Sequence, residues 1–142
     1  MTTTNPSVDR YLLDKAMDNI DHALGRPADP LRETYRNYFA VDDASPKAAA
    51  FRASPHWIFT GGLHGGMVTF SVTVAGREAL HDHLRKVGDK HRAYLVTFDG
   101  HSESIAATTP GKAKYEYWLR VSDVCPDLKF GAFCREASVR LQ

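Results

Sequence analysis

Two pairs of glycines interrupt a strand-forming segment at residues 56–70, HWIFTGGLHGGMVTF, and they limit the fold more than any other feature of the sequence. Phosphate-binding glycine loops lie between a strand and a helix, and they usually carry a Lys or a Ser/Thr at fixed spacing. Here a strand pattern follows the glycines, and neither GKS nor GKT is present. Because glycine readily adopts the positive φ angles of tight turns, we predict a hairpin turn here, with a ligand loop as the alternative.

The residues after the glycines predict a strand and then a helix. Apolar and polar side chains alternate over residues 68–74, which is the pattern of a strand with one buried face. Thr73 can cap the helix that follows, and Gly88 can end it. The apolar stripe of this helix consists of Ala79, Leu80, Leu84 and Val87.

Three helices are predicted before the glycines. The first is bounded by Ser7 as a cap and Gly25 as a stop, and the second begins with the pair Asp29 and Pro30. A short third helix is expected at residues 46–53. The apolar faces of the first two helices consist of Leu13, Ala16, Met17, Ile20, Ala23 and Leu24, and of Leu31, Tyr35, Tyr38 and Phe39.

The C-terminal third of the chain predicts a hairpin, helices and a closing strand. Strands are expected near residues 93–98 and 102–107, joined by an Asp-Gly pair that favours a tight turn. The Thr-Pro pair at 109–110 begins a helix that continues to Leu119, and a short helix is expected after Pro126. The final residues, SVRLQ, can return to the sheet as a strand.

These elements predict an α+β protein, with helices in the N-terminal part and a β-hairpin, helix and strand module at the C-terminal end. The periodicity changes from helix to strand near Gly88 to His91, and this is the one plausible boundary. We therefore assign a helical region to residues 1–88 and a small α+β module to residues 89–142. The two are expected to pack as one compact unit.

Composition and charge exclude several classes of protein. The chain has 142 residues, 43% apolar content and a net charge of +1, so no global field attracts it to nucleic acid or anionic lipid. No apolar run approaches the length of a membrane span, and the N-terminal residues lack the features of a signal peptide. We expect a cytoplasmic protein without membrane contact, in which Cys125 and Cys134 are reduced.

No pattern predicts a catalytic residue, a metal site or a cofactor. His81 and His83 lie two residues apart on a predicted helix, whereas a helical metal pair needs a spacing of three or four. Neither cysteine lies in a recognisable catalytic signature. The protein is therefore interpreted as a noncatalytic one, with the alternative that catalytic residues are spread along the chain without a motif.

The central stretch resembles a winged-helix protein. Helices, a glycine-turned hairpin and the run FSVTVAGREALHDHL are similar to the wing and following helix of that family, over residues 29–87. This resemblance implies DNA binding, with residues 46–53 as the recognition helix. It adds a winged-helix-like hairpin to the expected α+β fold. The candidate binding residues that it indicates are Lys47, Arg52, Arg77, Arg85, Lys86, Lys90 and Arg92.

Nearly the whole chain resembles small uncharacterised proteins of phage and prophage genomes. The residues that carry this resemblance are YRNYF, GGMVTFSVTVAGREAL and the tail that begins FDGHSESIAATTPGKAKYEYW. The resemblance implies an accessory protein that binds a host protein, for example as an inhibitor of a defence system such as CRISPR-Cas. The alternative is a winged-helix transcriptional regulator that binds DNA. The sequence does not predict the oligomeric state.

Overall fold

The computed structural model describes residues 5–142 and has the expected α+β fold. Two three-stranded antiparallel sheets are each packed with helices. Residues 9–89 form one compact unit, called here the N-terminal unit, and residues 90–142 together with 5–8 form the C-terminal unit. The expectation that the chain packs as one compact body stays a prediction.

The N-terminal unit contains three helices and one sheet. Its elements are α1 (Lys15–Ala23), β1 (Phe39–Asp42), α2 (Pro46–Ala53), β2 (Trp57–Gly62), β3 (Met67–Val72) and α3 (Val74–Lys86). The sheet has the order β1-β3-β2, so that β3 is central. Buried side chains from every helix and strand, among them Ile20, Phe51, Trp57, Phe70 and Leu80, form a single core.

The glycine stretch forms the predicted hairpin. Strands β2 and β3 pair antiparallel, and a single 3₁₀ turn, His64–Gly66, connects them. Gly65 and Gly66 have φ angles of 75° and 78°, the left-handed region in which glycine avoids a steric penalty. A bulge lies between Phe59 and Gly61. The segment is a turn between strands, as predicted.

The second predicted helix is wrong. Residues 29–38 form turns and extended backbone, and Phe39 begins β1 instead of ending a helix. The Asp29 side chain accepts from Leu31 N at 3.0 Å and stabilises a local turn. The Asn37 side chain pairs with both backbone groups of Val72, at 2.7 and 3.0 Å, and so fixes this segment beside β3. Tertiary hydrogen bonds outweigh the weak helical preference of the segment.

The first helix is shorter than predicted. Asp14, and not Ser7, is its N-cap, because the Asp14 side chain accepts a hydrogen bond from Met17 N at 3.1 Å. Leu13 precedes the helix and is 99% exposed, so it does not belong to the apolar face. Gly25 follows the helix with a φ angle of 82°, as expected of its stop. Within the residues that the structure describes, two helices therefore precede the glycines, and not three.

The cap predicted for α3 is confirmed, and one glycine of that helix is required by packing. Thr73 Oγ1 accepts from Gly76 N at 3.2 Å, which satisfies one of the first free N–H groups of the helix. A Cβ on Gly76 would lie 2.6 Å from both the His56 carbonyl oxygen and Val72 Cγ1. A glycine is therefore required at position 76, because the start of α3 packs directly against the backbone of His56, just before β2.

The C-terminal unit has the predicted order of hairpin, helices and strand. Its elements are β4 (Arg92–Phe98), β5 (His101–Ala107), α4 (Pro110–Ser122), α5 (Phe130–Glu136) and β6 (Ser138–Leu141). The sheet order is β5-β4-β6. Asp99 and Gly100 form the tight turn with φ angles of 50° and 77°. Thr109 caps α4 by accepting from Lys112 N at 3.1 Å.

The edge strands of the two sheets differ in charge. Strands β1, β5 and β6 each contain a charged residue, namely Asp42, Glu103 and Arg140. Strand β2, with the sequence WIFTGG, contains none, and its Ile58 and Phe59 side chains are at least half exposed. Edge strands with this composition are uncommon in natural proteins.

Candidate binding groove on the N-terminal unit

An apolar groove with a volume of about 390 Å³ lies between α1 and the segment formed by α2 and the start of β2. Ala16 and Ile20 of α1 line one side, and Ala50 of α2 lines the other. The remaining lining residues are Asn19, Pro46, Lys47, Phe51, Ser54, His56 and Trp57. This volume is within the range of small-ligand and side-chain pockets in proteins.

Packed aromatic rings lie beneath the groove. Phe51 and Trp57 stack with their ring centroids 3.9 Å apart and an interplanar angle of 13°. The Phe39 ring meets both of them edge-on, at 5.4 and 5.9 Å. These contacts fix the rings in place, because aromatic pairs favour stacked and edge-to-face geometries. The groove therefore has a rigid floor.

The local sequence explains how these rings come together. Ser45 Oγ accepts from Ala48 N at 3.1 Å and begins α2, which directs Phe51 and the small Ala48 into the core. Ser54 ends the helix, and Trp57 is the first residue of β2, with its side chain on the buried face. A sharp change from helix to strand thus sets the two rings against each other.

The charge in the groove is positive. Its lining includes one lysine and one histidine but no Asp or Glu. The Lys47 ammonium lies 5.2 Å from the centroid of the Phe39 ring, within the range of a cation–π contact. Within residues 5–142, Lys47 has no ion pair. An anionic group at this end of the groove would be attracted to the ammonium.

Arg52, the second candidate on α2, is already paired. Its Nη2 lies 2.5 Å from an Asp43 carboxylate oxygen. The guanidinium also lies over Phe59 and Phe70, at 5.5 and 5.7 Å from the ring centroids. Arg52 does not line the groove, and the two cations of α2 thus differ: among residues 5–142, Arg52 has a carboxylate partner and Lys47 has none.

Arg77 anchors the loop that replaces the second predicted helix. Its Nη1 donates to the carbonyl oxygens of Pro30 and Arg32, at 3.1 and 2.9 Å, and its Nη2 to Thr34 Oγ1 at 3.1 Å. Burial lowers the pKa of the guanidinium. These donors are engaged inside the fold, which makes Arg77 a structural residue.

The four remaining candidates are exposed cations on two different units. Arg85 and Lys86 lie in the last turn of α3, where positive side chains stabilise the carboxyl end of the helix dipole. Lys90 and Arg92 belong to the C-terminal unit, and Arg92 Nη1 donates to the His91 carbonyl oxygen at 2.9 Å. Of these four cations, Arg85 and Lys86 lie together in one helix, and Lys90 and Arg92 do not belong to the same unit as that helix.

Sequence reasoning missed a buried network of charges in the N-terminal unit. The Arg10 guanidinium donates two hydrogen bonds to the Asp21 carboxylate, at 2.7 and 3.0 Å, and a third to the Asp89 carboxylate at 3.1 Å. Arg26 bridges Asp21 and Asp18, at 3.1 and 2.7 Å. The hydrogen bond from Arg26 lowers the pKa of Asp18. The one signal in the sequence was Asp18 and Asp21 at helical spacing beside the buried Ile20.

Histidines and cysteines do not gather into a metal site in the part of the chain that the structure describes. No group of three or more His, Cys, Asp or Glu side chains within residues 5–142 has a suitable arrangement. Cys125 is exposed and Cys134 is half-buried, and both thiols are free. His56 contributes to the groove, and His64 lies in the hairpin turn.

Comparison with known proteins gives no relative. No family model, no curated protein and no solved structure matches this chain. Every helix within residues 5–142 is too short or too polar to cross a membrane.

Proposed function

We propose that the chain is a noncatalytic accessory protein of the phage type that acts in the cytoplasm by binding a host protein. A component of a host defence system such as CRISPR-Cas is a suitable target. The observation that carries this proposal is the groove with its rigid aromatic floor between α1 and α2. Apolar pockets lined by aromatic rings are where a few residues supply most of the affinity of a protein interface.

The surface around the groove also favours a protein partner. The rings beneath it are held by one another, so little side-chain entropy is lost when a partner binds. Ala49, Ala50 and Ala53 leave much of the exposed face of α2 without long side chains. A partner can therefore approach the helix closely.

The experiment is affinity capture from a lysate of a candidate bacterial host with two matched variants. Ala50→Trp fills the groove, whereas Ala49→Trp places the same ring at an exposed position of α2 that does not line the groove. We expect one stoichiometric protein with the wild type and with Ala49→Trp, and its loss with Ala50→Trp. Equal capture by all three proteins would refute the role of the groove.

DNA binding by a winged-helix-like regulator is the second candidate function. The hairpin of β2 and β3 is formed, and Arg85 and Lys86 lie side by side and exposed on the following helix. If these cations contact phosphates, the logarithm of the affinity for duplex DNA falls by about 0.9 per contact for each decade of salt. Submicromolar binding at physiological salt that Arg85→Ala with Lys86→Ala abolishes would favour the regulator over the protein binder.

A further inference from the structure

We infer that the groove receives an apolar anchor side chain, aromatic or leucine, from a partner segment that carries an Asp or Glu next to this anchor. This inference rests on the proposed protein-binding function and names the chemistry of the partner. The occupant is thus a short acidic-apolar segment of another protein.

The apolar part of the occupant follows from the floor and the walls. Ile20, Phe51 and Trp57 present carbon surface, and each of these residues is buried. Ala16 and Ala50, which have small apolar side chains, line the sides of the groove. A charged group placed on this floor would lose its hydration without gaining hydrogen bonds, which is costly. An apolar side chain gains free energy there.

The acidic part follows from the charge of the rim. Lys47 is the lysine that lines the groove, and no carboxylate among the lining residues neutralises its charge. The nearby Arg52 differs in this respect, because Asp43 already pairs with it. A carboxylate beside the anchor would meet Lys47, whereas a lysine there would be repelled. Specificity for charge therefore depends on one residue.

A nucleic-acid backbone is a poor fit to the same groove. Phosphate binding requires several cations along a track, and the lining has one lysine beside an apolar floor. Nucleic-acid bases also stack on exposed aromatic faces, but the Phe51 and Trp57 rings stack on each other instead. Oligonucleotide binding at the groove is accordingly an outcome that would contradict the inference.

The test uses the two tryptophans of the chain as reporters. Trp57 lines the groove, whereas Trp118 belongs to the C-terminal unit, where its Nε1 donates to the Leu128 carbonyl oxygen. In nitrogen-labelled full-length protein, each indole N–H gives one NMR signal. Groove binding should shift the Trp57 signal and leave that of Trp118 in place. The second signal is therefore an internal control.

The probes are three blocked peptides of equal length, in which one phenylalanine is flanked by glutamates, by lysines or by glutamines. We expect the glutamate peptide to bind about five- to tenfold more tightly than the lysine peptide, with the glutamine peptide between them. Lys47→Glu should reverse this order, and Lys112→Glu, at an exposed site outside the groove, should preserve it. Absence of a Trp57 shift at millimolar glutamate peptide would overturn the inference, as would an unchanged order in Lys47→Glu.

Host capture separates a failure of this inference from a failure of the proposed function. If Ala50→Trp abolishes capture and Lys47→Glu does not weaken it, the groove binds a protein but the acidic class is wrong. If neither variant changes capture, the partner binds elsewhere on the surface and the inference about the groove fails, whereas the absence of any captured protein would contradict the proposed function itself. Capture lost with both variants, together with the peptide result, supports both.

Discussion

The two units build similar sheets but differ in what their cores contain. Each has three antiparallel strands covered by helices. In the N-terminal unit a network of charges is buried beside the apolar core, with Asp21 fully inaccessible and the Arg10 side chain 8% exposed. In the C-terminal unit the core is formed by apolar and aromatic side chains around Phe133. The two units therefore should respond differently to loss of charge.

The buried network stabilises the N-terminal unit through its connections. Arg10 joins the segment before α1 to Asp21 within α1, to the Pro27 carbonyl after it and to Asp89 after α3. Four hydrogen bonds donated by Arg10 and Arg26 reach the side chains of Asp18 and Asp21 at 3.1 Å or less. Removing one partner from such a network leaves a buried charge uncompensated.

The C-terminal unit relies on packing of rings. Phe133 lies between Phe98 and Tyr117, with centroids at 4.8 and 5.9 Å. Burial raises the pKa of the Tyr117 hydroxyl. The C-terminal unit also has an ion pair between Arg120 and Glu103, and both of these side chains are about half exposed. Such a surface pair contributes little to stability.

The largest expected effect tests the buried network. Asp21→Asn should lower the free energy of unfolding by about 3–5 kcal/mol, because two buried guanidinium groups lose their shared carboxylate. The matched change in the C-terminal unit, Glu103→Gln, should cost about 0–1 kcal/mol. Urea unfolding followed by tryptophan fluorescence measures both values. Equal costs would show that burial does not distinguish the two pairs.

A glycine-to-alanine pair compares the packing of one helix in each unit. Gly76→Ala should cost about 1–3 kcal/mol, since its Cβ has backbone and side-chain atoms of His56 and Val72 at 2.6 Å. Gly111→Ala in α4 meets no atom within 4 Å and should be neutral or stabilise by up to about 1 kcal/mol. The same unfolding experiment decides. A harmless Gly76→Ala would mean that the start of α3 can move.

The sequence predicts those parts of the fold that depend on local signals. Strong local signals are sufficient for the glycine hairpin, the Asp-Gly turn and the starts of α3 and α4, because each depends on residues close in sequence. The segment at residues 29–38 was assigned wrongly, because Asn37 and Arg77 hold it through bonds to residues more than thirty positions away. No local pattern reports such distant partners.

The groove was beyond sequence reasoning for the same reason. The sequence predicts Lys47 and Arg52 as cations on α2, but their different surroundings, an apolar groove and the carboxylate of Asp43, depend on the tertiary fold. The sequence places Ile20 on the apolar face of a helix and Trp57 in the hairpin segment. Only folding brings them to one surface.

Lowering the pH should also destabilise the N-terminal unit, but by a smaller and more gradual amount than these substitutions. The pKa of Asp18 is lowered in the folded state by Arg26, so its contribution to stability is present above the ordinary carboxylate pKa and is lost as the pH falls. We expect the melting temperature of the N-terminal unit to decrease between about pH 5 and pH 2, and Asp18→Asn to flatten this decrease. Melting curves from pH 7 to pH 2 measure it, with the exposed Asp82→Asn as the control. An unchanged slope in Asp18→Asn would contradict this origin.

The smallest expected effect concerns the thiols of the C-terminal unit. Because Cys125 and Cys134 are free, a reductant should leave the melting temperature unchanged. A disulfide across this short loop would contribute roughly 2–3 kcal/mol by the chain-entropy relation. Iodoacetamide should modify the exposed Cys125 faster than Cys134. A drop of several degrees on reduction would show that this unit is stabilised by a covalent bond as well as by its rings.

The uncharged edge strand β2 has a consequence for handling the protein. Its outer backbone N–H and C=O groups, together with the half-exposed Ile58 and Phe59, offer a template on which another extended chain can add. The bulge after Phe59 shortens the regular part of this template. Fibre nucleation during concentration or heating should therefore start at this edge, and Ile58→Lys should delay it.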